Sequence, residues 1–148
     1  MEFEVDGESI SSIGPGLCVL IGIHKDDTKN DMQYLVSKLL NLKIFSGEDG
    51  KKWCKSVVDM QFEILCVSQF TLYHSLKGNR LDFHHAMPAS ESQSFYNEFL
   101  SSLKTHYLAD RIKDGRFGAM MDVCLINDGP VTIELESTDF KSNVDRSS

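Results

Sequence analysis

The chain has 148 residues, enough for one domain with its own hydrophobic core. Its 41% hydrophobic and 25% charged make-up is that of a globular protein, and no apolar run reaches the ~18 residues a membrane helix needs. A net charge of −7 argues against a protein that coats nucleic acid, while leaving room for a small basic patch that grips an RNA end.

The start, Met1-Glu2-Phe3-Glu4-Val5-Asp6, is acidic and lacks the basic-then-apolar form of a signal peptide, so a cytoplasmic protein with no membrane partner is expected. Ile13-Gly14-Pro15-Gly16 is turn chemistry leading into Leu17-Cys18-Val19-Leu20-Ile21-Gly22-Ile23, an apolar run that reads as a buried strand. Thr28 and Asp31 have the spacing of a capping pair, and Met32, Leu35, Val36, Leu39 and Leu40 follow on one helical face. Lys43-Ile44-Phe45 is short and strand-like. Glu63 to Phe70 is the best central strand, and it ends in polar residues.

Tyr73 to Pro88 is a long loop rich in basic residues and histidine, and long loops in compact domains are often functional. Ser90 with Gln93 predicts the start of a second helix, with Phe95, Phe99, Leu103 and Tyr107 as its buried stripe. Met120–Ile126 and Val131–Glu136 read as two closing strands around Asn127-Asp128-Gly129-Pro130. That cluster predicts a tight turn. Only about 5–6% of X–Pro bonds in folded proteins are cis, so the pattern alone favours a trans proline. The architecture expected is α+β, mainly antiparallel sheets forming a barrel-like core with two covering helices. Residues 1–137 would form a single domain and 138–148 a polar C-terminal tail.

No cofactor and no metal is expected. Cys18, Cys54, Cys66 and Cys124 stand singly, three of them in apolar runs, and read as buried structural thiols. His84 and His85 are adjacent, and neighbours on a strand point apart, so loop histidines are the better reading. Polar residues closing a buried strand, as in Ser68-Gln69-Phe70-Thr71-Leu72, are either satisfied core groups or a ligand-facing rim; composition favours the former.

Together, Ser68-Gln69-Phe70-Thr71-Leu72 and Asn127-Asp128-Gly129-Pro130-Val131-Thr132 resemble the signature of D-aminoacyl-tRNA deacylases. Asn41–Phe45, Lys77-Gly78-Asn79-Arg80, Asp82-Phe83, Gly115-Arg116-Phe117-Gly118 and Ile13–Leu17 agree with that family, so the resemblance runs from about Val5 to Ser137. It implies a homodimer that binds the 3′ acceptor end of D-aminoacyl-tRNA and hydrolyses its ester, clearing glycine as well. It further implies a cis Gly129–Pro130 pair that reaches into the partner's pocket, holds the substrate's amino group with backbone carbonyls and leaves no room for an L side chain. A rigid backbone wall can reject one enantiomer by steric exclusion alone.

By the same resemblance, Ser68, Gln69 and Phe70 lie near the scissile ester and terminal adenosine. Phe70 and Phe117 would pack on the adenine, and Met121 falls at another pocket position, although core packing is an equal reading for Met121. Two mechanisms follow. Thr71 as a nucleophile needs a base, and none adjoins it in sequence. Assistance by the ribose 2′-hydroxyl, with backbone amides near Gln69–Phe70 steadying the oxyanion, suits a site poor in ionisable groups and is favoured. Lys77, Arg80, Lys113 and Arg116 are the basic residues nearest the proposed pocket in sequence, and solvated surface charge is an equal reading for each.

The resemblance further implies a valine-rich first strand carrying Gln-Arg-Val, ahead of the position of Phe3, whose arginine braces the Gly-Pro loop. This chain has no such segment, so reduced stability or activity is expected. The alternative is a non-catalytic nucleic-acid-binding module on the same fold.

Overall fold

The computed structural model describes residues 1–138, so of the expected tail only Thr138 falls within the described residues. Eight strands and three helices follow in the order β1 (Glu2–Val5), β2 (Glu8–Ser12), β3 (Gly16–Ile21), α1 (Lys29–Asn41), α2 (Val57–Met60), β4 (Glu63–Ser68), β5 (Ser75–Lys77), β6 (Arg80–Asp82), α3 (Ala89–His106), β7 (Ile112–Asp114) and β8 (Asp122–Cys124). The strands form three sheets with orders β2-β1-β8, β3-β4-β7 and β5-β6. The first and third are antiparallel, whereas β4 pairs in parallel with both β3 and β7.

The barrel expectation is therefore corrected: among the described residues no sheet closes on itself, and the central sheet is parallel. The reason lies in the connections. The chain between β3 and β4 carries α1 and α2, and that between β4 and β7 carries α3; helical crossovers of this kind deliver parallel neighbours.

Strand β4 holds the structure together. Ile64, Leu65 and Cys66 are fully buried, and its alternating side chains feed different clusters. Ile64 and Cys66 join Ile21, Ile23, Met32, Val36, Leu40, Val57, Tyr96, Phe99, Leu100, Leu103 and Ile112. Leu65 and Val67 join Phe3 and Ile13 on the other face. Burying both faces is what a continuous apolar run demands, and burial pushes the Cys66 thiol far above the ordinary thiol range.

Helix α1 begins as its sequence implies. Asp31 Oδ2 accepts from both the Thr28 backbone N–H (2.8 Å) and the Thr28 hydroxyl (3.1 Å). Met32, Val36 and Leu40 are buried, with Leu35 and Leu39 partly so. The short helix α2 uses the same device: Ser56 accepts from Asp59 N (3.1 Å), while Asp59 accepts from Ser56 N (2.9 Å). Helix α3 starts earlier than Ser90, because Pro88 is its N-cap and its carbonyl takes the Glu91 and Ser92 N–H groups. Its stripe also differs. Phe99 and Leu103 are buried as expected, Phe95 and Tyr107 are only partly covered, and Tyr96 is fully buried. Its hydroxyl masked it in the sequence; that hydroxyl donates to the carboxylate of Asp114 at the end of β7.

Other expectations fail for want of a partner edge. Lys43–Phe45 makes an isolated bridge, Phe45 to Lys55, rather than a strand. Of Met120–Ile126 only Asp122–Cys124 is paired, because β1 offers three partners there. Val131–Glu136 pairs with no strand among the described residues, and Val131 and Ile133 are exposed. The cysteines divide: Cys66 is buried, Cys18 and Cys54 are half-buried, and Cys124 is exposed, so the buried-thiol reading fails for Cys124. No described helix is long and apolar enough to cross a membrane.

Candidate active site

Strand β4 ends at Ser68, and the ladder persists one residue further, with Gln69 N donating to Ile21 O at 2.8 Å. The chain then turns abruptly into a single 3-10 turn, Phe70–Tyr73. Gly22 makes room for this turn: a Cβ there would lie 2.9 Å from Leu72 Cβ and 3.1 Å from the Tyr73 ring. Thus a rigid core strand delivers Ser68, half-buried, to the base of an exposed turn that carries Phe70, 56% exposed.

Within the turn the Gln69 side-chain amide bonds to the Thr71 hydroxyl. An amide is not a base in either orientation, so this partner does not take a proton from Thr71. The Thr71 carbonyl is met by His74 Nδ1 at 2.9 Å, which makes Nδ1 the protonated nitrogen of that ring. Phe70 meets Phe83 edge to face, with centroids 5.0 Å apart and planes at 74°. Burial pushes the Tyr73 hydroxyl above its ordinary range, and the carboxylates of Asp27, Glu136 and Asp31 add to that.

The long loop is not structureless. It contains the β5–β6 hairpin, turned at Gly78 with φ +62°. Lys77 at its tip is bound to Asp82 at 3.1 Å, so its charge is partly spent within the hairpin. Asp82 also accepts from the His84 side chain and backbone, and these bonds hold its carboxyl well below the usual range. His85 stacks on His24 at 5.8 Å and lies 3.8 Å from the His84 ring. Neither the stack nor Phe83's role as a ring partner was legible in the spacing of the residues, since His24 and Phe83 are far from their partners along the chain.

That imidazole row makes a pH prediction. Desolvation first, then the nearby His84, Lys25 and His24, lower the His85 pKa in the folded chain, with Asp82 opposing. The other groups facing the row are Tyr73, whose ring meets His24 edge to face, Asp26, whose carboxylate lies 3.8 Å from His24 Nδ1, and Asp27, whose carboxylate accepts from the His24 backbone N–H. The unfolded chain, titrating near pH ~6.5, binds the proton more readily than the folded one, so this residue's contribution to stability is lost as pH falls below about 6.5. Melting temperatures measured from pH 8 to pH 5 are expected to fall less in His85→Gln than in the unaltered protein. Parallel curves would contradict this.

The other predicted site residues fall in two places. Phe117 packs beside Tyr96 at 5.7 Å, against the larger cluster. Met121 packs on the Phe3 cluster and receives the Arg116 N–H at 3.4 Å from its sulfur. The segment bearing both is tied to β4, as Gly115 N donates to Cys66 O at 3.1 Å. Gly129 and Pro130 lie on a solvent-facing loop whose Ile126 is 92% exposed. Their peptide bond is cis, and Gly129 has φ +125°. Asn127 closes this loop, accepting from Val131 N at 3.0 Å and donating to Thr132 Oγ1 at 3.1 Å. The three atoms nearest a Cβ built on Gly129 all belong to Val131, so the loop's close contacts at that point are its own.

The family model and the curated relatives point to one family. The family model described as D-Tyr-tRNA(Tyr) deacylase matches residues 2–136. The chain is 58% identical to human D-aminoacyl-tRNA deacylase 1 over 133 residues, covering 90% of this chain and 64% of the human protein. It is also 58% identical to a Drosophila melanogaster D-aminoacyl-tRNA deacylase over 134 residues, covering 90% of this chain and 84% of that one. A solved structure named c-Myc DNA Unwinding Element Binding Protein superposes with a TM-score of 0.88 at 56% identity, covering 91% of each chain. This chain belongs to the D-Tyr-tRNA(Tyr) deacylase family.

Proposed function

We propose that the chain hydrolyses the ester of D-aminoacyl-tRNA, and of glycyl-tRNA, releasing the free amino acid and tRNA. The observation that carries this reading is the Ser68–Thr71 turn, held at the end of β4, whose Ile64–Val67 are buried, in a chain of this family. The substrate's 3′ acceptor end would lie along the turn, with its adenine on Phe70 and the ester near Ser68 and Gln69. Phe117 and Met121 would line the inner side of the pocket behind their packing roles.

In the reaction, water adds to the ester carbonyl carbon, and the negative charge gathers on the carbonyl oxygen. Backbone N–H groups near Phe70 would steady that oxyanion, and the ribose 2′-hydroxyl would assist proton transfer to the departing 3′-oxygen. The Gln69–Thr71 bond supports this route over a threonine nucleophile, since Thr71's partner is an amide and not a base. Thr71 would instead hold the turn's shape.

Chiral rejection would fall to Gly129 and Pro130, acting across a homodimer. Solvent exposure of Met120, Ile126 and Ile133 on the loop's flanks supports a partner surface there. We assign residues 1–137 to one domain, and a cytoplasmic site of action in translation proofreading goes with the substrate. The name of the 56% identical solved structure favours a second reading, a nucleic-acid-binding module that does not cut. The net charge of −7 weighs against it.

Release of D-tyrosine from charged tRNA, run beside the L-ester, separates the readings. The expected result is free D-tyrosine with the L-ester intact. RNA binding without release would establish the second reading. Equal release of both enantiomers would leave a hydrolase but remove the chiral wall.

A further inference from the structure

We propose that Phe83 is a positioning residue for the nucleobase end of the substrate, holding the Phe70 ring so that a purine meets it in one orientation. This rests on the deacylase reading above. Phe70 is 56% exposed, so burial does not fix its ring, and a free aromatic side chain samples several rotamers. The ring that restrains it is Phe83, in the edge-to-face geometry that aromatic pairs prefer. A base that stacks on an already ordered ring loses less entropy on binding than one that must order the ring itself.

Phe83 can do this because it is clamped from both sides. Before it, β6 ends at Asp82, whose carboxylate holds the His84 N–H at 3.0 Å. After it, the Phe83 carbonyl accepts from Ala86 N at 3.0 Å, closing a turn. The chain beyond is pinned to the segment following β3: Lys25 N donates to His85 O at 2.9 Å, and Met87 N to Ile23 O at 2.9 Å. The two rings thus sit on separately anchored segments, one on the end of β4 and one docked beside β3. Their contact is what aligns the exposed ring with the core.

The probe is an adenosine bearing D-tyrosine through a 3′-amide, which cannot be hydrolysed, measured alongside KM and kcat for D-tyrosyl-tRNA. Phe83→Leu keeps apolar bulk without the aromatic edge, and Phe83→Tyr keeps the edge. Phe83→Leu is expected to weaken probe binding and raise KM about threefold to tenfold, the size of an aromatic pair's coupling, with kcat changed less than about twofold. Phe83→Tyr should restore binding, and Phe83→Leu should add nothing further in a Phe70→Ala background. Unaltered binding by Phe83→Leu, or losses that multiply with Phe70→Ala, would overturn the proposal while sparing the deacylase reading. Failure of the unaltered protein both to bind the probe and to release D-tyrosine would remove that reading and this inference together.

Discussion

Gly16→Ala is expected to lower the melting temperature by roughly 6–12 °C, which corresponds to about 3 kcal/mol for a chain of this size. A Cβ on Gly16 would lie 1.9 Å from the Glu63 carbonyl oxygen and 2.9 Å from its carbonyl carbon. Both contacts are with backbone, so no side-chain rotation relieves them. Gly16 and Glu63 are register partners at the start of the parallel β3–β4 pair, and relief means parting the strands that bury the core. Gly14, two residues earlier in the same Gly-Pro-Gly, has nothing within 4 Å of such a Cβ. Thermal denaturation of both variants is the check: Gly14→Ala should melt within about 2 °C of the unaltered protein. Similar melting of the two variants would mean the strands separate cheaply.

Gly129→Ala is expected to cost D-tyrosine release about tenfold to a hundredfold in kcat/KM, with the melting temperature nearly unchanged. At φ +125° only glycine is unstrained, and an added Cβ would also meet Val131 Cγ2 at 2.8 Å and Val131 N at 3.2 Å. Backbone strain of about 1–3 kcal/mol must be relieved by moving the loop, and that range corresponds to the predicted rate loss if the loop contacts the substrate. The loop is solvent-facing, so its displacement leaves both core clusters intact. Single-turnover deacylation beside a melting curve tests this. Unchanged release would show that the loop lies outside the reaction site. A large fall in melting temperature would show that it braces the fold instead.

Some of this structure was written plainly in the sequence. Helix α1 was legible because its stripe and its Thr28–Asp31 pair are both local, set by spacing within one element. Strand β4 was legible because a run as apolar as Ile64–Val67 has to be covered on both faces. What could not be read was which element covers which. Alternation in Val131–Glu136 says that one face is apolar but names no partner, and the described chain supplies none. The same ignorance turned a parallel sheet with helical crossovers into an expected barrel.

At the site, the Ser68–Thr71 and Asn127–Thr132 segments were recognisable as motifs, since each is contiguous. Phe83 stands within a contiguous motif, but its pairing with Phe70 does not follow from that motif, because Phe70 lies on a separately folded segment. The burial of Tyr96 is hidden in the sequence for a physical reason too. A hydroxyl in a helix reads as exposed unless its acceptor is known, and Asp114 lies far along the chain.

The change at Ser68, from a strand buried on both faces to a turn facing solvent, has an evolutionary consequence. On the proposed reading, the β5–β6 hairpin and its flanks could be rewritten to alter what is admitted, while the turn that follows β4 stays where the core puts it. Selectivity and chemistry could then drift separately on this scaffold, the first among exposed residues and the second on a turn anchored to the buried Ile64–Val67 run.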